Sequence, residues 1–183
     1  MFDYSKIVCV TNRKLVQGDF LKKIDQICSL GVRSIILREK DLPLDEYLSL
    51  TKNVLKICKN YNVPLFAHNS FEAGKITGNL HLSYDKFINI LDKIKDYDNV
   101  GVSVHSIREI EDLEIMPNYF LVGHIFSTDC KKDLPPRGLK FLEEICKISP
   151  VPVYGIGGIN ESNYKSVLEA GASACGVMSG LMK

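Results

Sequence analysis

Apolar residues along the chain follow two alternating patterns: short β-branched runs and longer stretches with helical spacing. The short runs lie at 7–11, 34–39, 64–69, 79–83, 100–105, 119–126, 151–157 and 174–179. Each has the length and residue types of a strand, and their alternation with helical segments is the signature of βα units around a parallel sheet. Between them, 20–30 sets Leu21, Ile24, Ile27 and Cys28 on one side of a helix and runs into Gly31, a natural carboxyl cap. The stretch 44–60 repeats the pattern with Tyr47, Leu48, Leu50, Val54, Leu55 and Ile57 until Asn62-Val63-Pro64 breaks it. Helices are also predicted at 86–94 and 139–148, with scarcely more than a turn at 71–75.

Strands alternating with helices predict one α/β domain over 1–183, a small (β/α)8 TIM barrel. An open doubly wound sheet more often uses five or six strands and a glycine fingerprint after the first, and nothing of the form G-x-G-x-x-G follows Thr11. At 183 residues the chain is short for a fold of typically ~250. No helical pattern follows the eighth run, so the barrel is expected to lack its final helix. That leaves an apolar seam between the eighth and first strands, which implies either a partner chain that covers it or a truncated form, and a homodimer is expected.

Charge narrows the partners. With 23 basic against 22 acidic residues the formal net charge is +1, so no long-range field draws nucleic acid or an anionic membrane. No apolar stretch reaches the length of a transmembrane helix or of a signal peptide's apolar region. The six cysteines (9, 28, 58, 130, 146 and 175) form no C-x-x-C pair, and four sit inside apolar strand or helix patterns. Reduced, mostly buried thiols in a cytoplasmic protein are expected.

In such a barrel, polar residues at the carboxyl ends of the strands face the active site. The seventh run ends in Gly155-Ile156-Gly157-Gly158 and the eighth in Met178-Ser179-Gly180. Gly157, Gly158, Ser179 and Gly180 therefore predict a phosphate seat of main-chain amides. Arg38-Glu39-Lys40 closes the second run with both cations on one side. Read alone, the segment fits an anion site and a solvated charged turn equally. His124 stands near the end of the sixth run. If Phe120, Val122 and His124 share one face, its imidazole lies inside the barrel near the top, placed to take and return a proton. A core histidine satisfied by a backbone carbonyl fits the same position. His105 with Ser106 and His68 with Asn69 end the fifth and third runs, and His81 lies within the fourth. No two histidines have metal-ligand spacing, so no metal is expected.

Together these motifs resemble the thiamin phosphate synthase family, from the second strand to the last residue. Arg38-Glu39-Lys40, Gly101-Val102-Ser103 and Gly157-Gly158-Ile159 match its pattern. The resemblance implies a TIM barrel and a substrate site that includes Arg38, Lys40, Asn69, Ser103, Thr128 and Lys131, with Ser179 near the phosphate. It also implies, for a synthase, Mg²⁺ held by carboxylates. The Asn-Asp pair of the family reads Asn69-Ser70 here, which removes a ligand that hard Mg²⁺ needs, and Ile36 replaces a glutamine. Asp85 can stand for the second acidic ligand. The run Gly123-His124-Ile125-Phe126-Ser127-Thr128-Asp129-Cys130-Lys131-Lys132 is similar to the thiazole tautomerase branch, often called TenI. That similarity implies a metal-free isomerase in thiamin biosynthesis whose substrate is a thiazole carboxylate phosphate and whose proton shuttle is His124. The alternatives are a Mg²⁺-dependent synthase joining a pyrimidine diphosphate to a thiazole phosphate, and a non-catalytic regulator that binds a thiazole phosphate.

Overall fold

In the computed structural model, which describes residues 1–128 and 134–183, eight parallel strands form a closed barrel in sequence order. They are β1 (Ile7–Val10), β2 (Ser34–Leu37), β3 (Leu65–His68), β4 (Asn79–Ser83), β5 (Asn99–Val104), β6 (Tyr119–Gly123), β7 (Val153–Ile156) and β8 (Ala174–Val177). The ring closes where Ile7 and Cys9 of β1 meet Cys175 and Val177 of β8. This is the (β/α)8 fold that the alternation of patterns predicts.

Both faces of the sheet are apolar. Val8, Val10, Ile36, Phe66, Tyr119, Leu121, Tyr154 and Ala174 fill the barrel interior. Strand residues of the opposite parity, among them Cys9, Ile35, Leu37, Leu65, Val102 and Phe120, pack outward against the helices. That is why the strands read as continuous apolar runs rather than as an alternation. Gly101 is required by the interior, since a Cβ there would stand 2.0 Å from Cζ of Tyr119. Most strands stop short of the apolar runs that encode them, because the last residues of those runs leave the sheet and build the mouth.

The helices are α1 (Phe20–Ser29), α2 (Leu44–Asn60), α3 (Phe71–Thr77), α4 (Tyr84–Ile88), α5 (Ile107–Glu111), α6 (Gly138–Ile148), α7 (Tyr164–Glu169) and α8 (Ser179–Met182). The helix predicted over 86–94 is broken into α4 and a 3-10 segment, Leu91–Asp96. At the break, Nδ2 of Asn89 donates to the Asp85 carbonyl at 2.6 Å, so the side chain occupies an acceptor that the helix would otherwise use. The sequence reading missed α5 and α7. A capping-box signal did mark α5: Ser106 caps it by accepting from the Glu109 amide, and Glu109 accepts from the His105 amide.

A full eighth helix is absent, as expected, and one helical turn, α8, stands in its place. Its Leu181 and Met182 are nonetheless buried, and the Met182 sulfur lies 3.9 Å from the Cys9 thiol on β1. The β8–β1 seam is thus covered within the chain, and the homodimer loses the ground on which it was expected. Cys9, Cys28, Cys58 and Cys175 are buried free thiols and Cys146 is half-buried, while Cys130 lies outside the described residues. No helix among the described residues is long and apolar enough to cross a membrane.

Candidate active site

The carboxyl ends of the strands surround a cavity of about 890 Å³. Arg38, Lys40, Asn69, Ser103, His124, Thr128, Gly157, Gly158, Ser179 and Gly180 all line it. Lys131, the remaining residue that the resemblance implies, lies outside the described residues. The four histidines of the chain converge here as well, and among the described lining residues there is no Asp or Glu.

On one side, Gly157 and Gly158 follow β7 with φ of 103° and 66°, backbone that L side chains rarely adopt. A Cβ on Gly157 would stand 2.3 Å from Cβ of His124, and one on Gly158 would stand 2.4 Å from the Ser127 carbonyl oxygen. Glycine thus brings the β7 and β6 ends into direct contact. Ser179 and Gly180 open α8, where amide groups have no acceptor within the helix.

On another side, Arg38 and Lys40 line the cavity while Glu39 between them turns inward and is buried. Glu39 accepts from the Thr11 hydroxyl at 2.6 Å and from the Arg13 amide at 3.1 Å, and the Thr11 oxygen accepts from the Arg38 amide at 2.9 Å. Arg13 also forks onto Asp41 and, with Lys14, holds that carboxyl well below the usual carboxylate range. The backbone that carries the cationic pair is therefore anchored to the β1 end, through the Arg38 amide and the Glu39 carboxylate. The triplet Arg38-Glu39-Lys40 marked this segment, but Thr11 and Arg13 carried no signal before the fold joined them to it.

Asn69, at φ 55°, links the β3 and β4 ends. Its amide donates to the His81 carbonyl, its Oδ1 accepts from the Ser83 amide at 2.9 Å, and its carbonyl accepts from Nζ of Lys86. The side-chain group it can present to a ligand is the Nδ2 donor. Burial, together with Arg38, Lys40 and Lys86 nearby, pushes the His68 imidazole down to about 3. His68 stacks on His81, with ring centroids 6.0 Å apart. His81 is fully buried in the barrel, and burial pushes it well below the usual histidine range. Its Nδ1 lies 2.9 Å from the Tyr119 hydroxyl and its Nε2 lies 2.8 Å from the Ser103 hydroxyl.

His124 reaches the cavity, but not by the strand parity expected for it. Phe120 and Val122 pack outward, whereas Tyr119 and Leu121 point into the barrel. β6 ends at Gly123, so the two-residue alternation no longer governs the next residue. The buried His124 ring donates from Nε2 to the Leu134 carbonyl at 3.1 Å. A carbonyl only accepts, so in the neutral ring Nε2 carries the proton and Nδ1 keeps the lone pair. His105 donates from Nδ1 to the Gly123 carbonyl at 3.1 Å and so holds the residue next to His124. This arrangement can bind an anion over main-chain amides and bring a proton acceptor to the same chamber.

A family model described as thiamine monophosphate synthase (TMP-TENI) matches residues 7–181. A thiamine-phosphate synthase of Clostridium acetobutylicum is 32% identical over 98% of this chain and 88% of its own length. One from Clostridium botulinum is 30% identical over 97% of the chain and 90% of its own length. Among solved structures, the thiamine phosphate pyrophosphorylase of Pyrococcus furiosus aligns with a TM-score of 0.86 at 24% identity, covering 98% of this chain and 88% of that one. The structural likeness speaks for the fold. The family match and the sequence identities speak for descent, and the chain belongs to the thiamine monophosphate synthase/TenI family of thiamin biosynthesis.

Proposed function

We propose that the chain is a thiazole tautomerase that aromatises a thiazole carboxylate phosphate by moving one proton between two carbons. The observation that carries this reading is the lining of the cavity: four histidines and, among the described residues, no carboxylate. The substrate phosphate rests on the amides around Gly157, Gly158, Ser179 and Gly180, and its carboxylate faces Arg38 and Lys40, with Lys131, which lies outside the described residues, as a further cation that the resemblance implies. The lone pair on Nδ1 of His124 removes the proton from one ring carbon, and the resulting imidazolium returns it to another. Its N–H to Leu134 keeps the ring oriented through both steps. No metal or organic cofactor enters this reaction.

The names of the curated relatives favour a second reading, a thiamin phosphate synthase. That reaction depends on Mg²⁺, a hard cation that selects carboxylate oxygens. Among the described residues no group of His, Cys, Asp or Glu could hold a metal, and Ser70, at the expected ligand position, spends its hydroxyl capping α3. The described donor set does not fit the ion, and no step is derived through it.

Incubation with the non-aromatic thiazole phosphate in deuterated water separates the readings. A tautomerase incorporates label at carbon during turnover. His124→Ala is expected to keep the fold and bind the aromatic product while turnover falls by ~10²–10⁴-fold. Unchanged turnover moves the shuttle elsewhere. Thiamin phosphate formed from the pyrimidine diphosphate, thiazole phosphate and Mg²⁺ without carbon labelling replaces the reading with the synthase. Binding with neither reaction leaves the regulator.

A further inference from the structure

Tyr119 stands inside the barrel, buried between ring neighbours: it stacks on Tyr154 with centroids 4.4 Å apart and meets Phe66 edge-on at 5.5 Å. Its hydroxyl has one hydrogen-bond partner among the described residues, Nδ1 of His81. The other nitrogen of that imidazole meets Ser103, whose hydroxyl is at the cavity wall. The buried imidazole is neutral, so it carries one N–H, and the hydroxyls on its two sides decide where. If Nδ1 held the proton, it would donate to the Tyr119 oxygen and leave the Tyr119 O–H buried without an acceptor, which is the costly arrangement. With the proton on Nε2, Tyr119 donates to Nδ1 and Nε2 donates to Ser103, so both buried rings are satisfied. The Ser103 hydrogen is then left to point away from His81.

We propose that His81 is a positioning residue which, set by the Tyr119 hydroxyl, occupies one lone pair of the Ser103 oxygen and turns its hydrogen toward the cavity, so that Ser103 is poised to donate to an acceptor at the end of β5: a carboxylate or phosphate oxygen, or an unprotonated ring nitrogen. Ser103 itself belongs to the site described above. What is new is the sense of its bond and the pair that fixes it. The inference rests on this cavity being the ligand site of the proposed function, but not on which reaction occurs there.

Nitrogen-15 NMR of the ligand-free wild-type protein at pH 7 reads the tautomer directly, and His81 is expected with Nε2 protonated and Nδ1 bare. Calorimetry with the aromatic thiazole carboxylate phosphate as probe then compares Tyr119→Phe, Ser103→Ala and the double variant. Each single change is expected to weaken binding about tenfold, the loss of one directed hydrogen bond. The double variant should be no weaker than Ser103→Ala, because Tyr119 acts only through Ser103. A wild-type ring protonated on Nδ1, or losses that simply add, overturns the proposal. Neither readout depends on turnover, so a failed His124 test leaves this one intact. Should Tyr119→Phe fail to fold, the wild-type tautomer still decides.

Discussion

At the scale of single residues, four histidines share one chamber and differ only in what surrounds them. His124 and His105 are each tethered by a carbonyl, which fixes the tautomer of the neutral ring and leaves the lone pair on its other nitrogen. His68 and His81 are held neutral by burial, with Arg38 among the cations that add to the effect. That difference has a consequence for stability. The unfolded chain protonates a histidine below its ordinary pKa of ~6.5, while the folded chain resists protonating His68 until about pH 3. The unfolded state therefore binds more protons in this window, and stability falls as pH drops from ~6.5 toward 3, by up to about 1.4 kcal/mol per pH unit for such a ring. Urea midpoints at pH 7 and pH 5 should show the decline, and His68→Asn should make it shallower. The sequence singled out His124 and noted the other three, but their convergence depends on the closure of the barrel, since residues far apart along the chain come together only there.

At the scale of elements, the strands were legible because two-sided burial writes itself as unbroken apolar runs. Their parity was not. In such a run, inward and outward positions are equally apolar, and Phe120 and Val122 gave no sign that they face the helices while Tyr119 and Leu121 face the interior. The β5–β6 pair shows what then fixes the interior. Gly101 pairs with Tyr119 across the ladder and leaves room for its ring. Gly101→Ala should cost about 1–3 kcal/mol through overpacking, read as a lower denaturant midpoint. It should also displace the Tyr119 hydroxyl from His81. The short helices were the least visible elements: α5 and α7 are too brief for periodicity to register, and α5 is held by its Ser106 cap while α7 is held by the burial of Tyr164 and Val167.

At the scale of the whole molecule, closure depends on a single turn. Met182 is fully buried at the junction of β8 and β1, so Met182→Ala is expected to destabilise the barrel by about 2–5 kcal/mol, measured by chemical denaturation. An unchanged midpoint would show that the seam is closed by other groups. From the sequence the seam looked open, because a four-residue turn carries no periodic signature. The sequence by itself determined the number and order of strands, the barrel class, the glycine turn after the seventh strand and the family, since each of these is written in local pattern or in short motifs. Only the tertiary structure decided that the four histidines meet, that Glu39 secures Arg38 and Lys40 from behind through Thr11 and Arg13, and that Tyr119 faces His81. Burial, tautomer and hydrogen-bond direction belong to the space between segments, and that space exists only once the eighth strand has closed on the first.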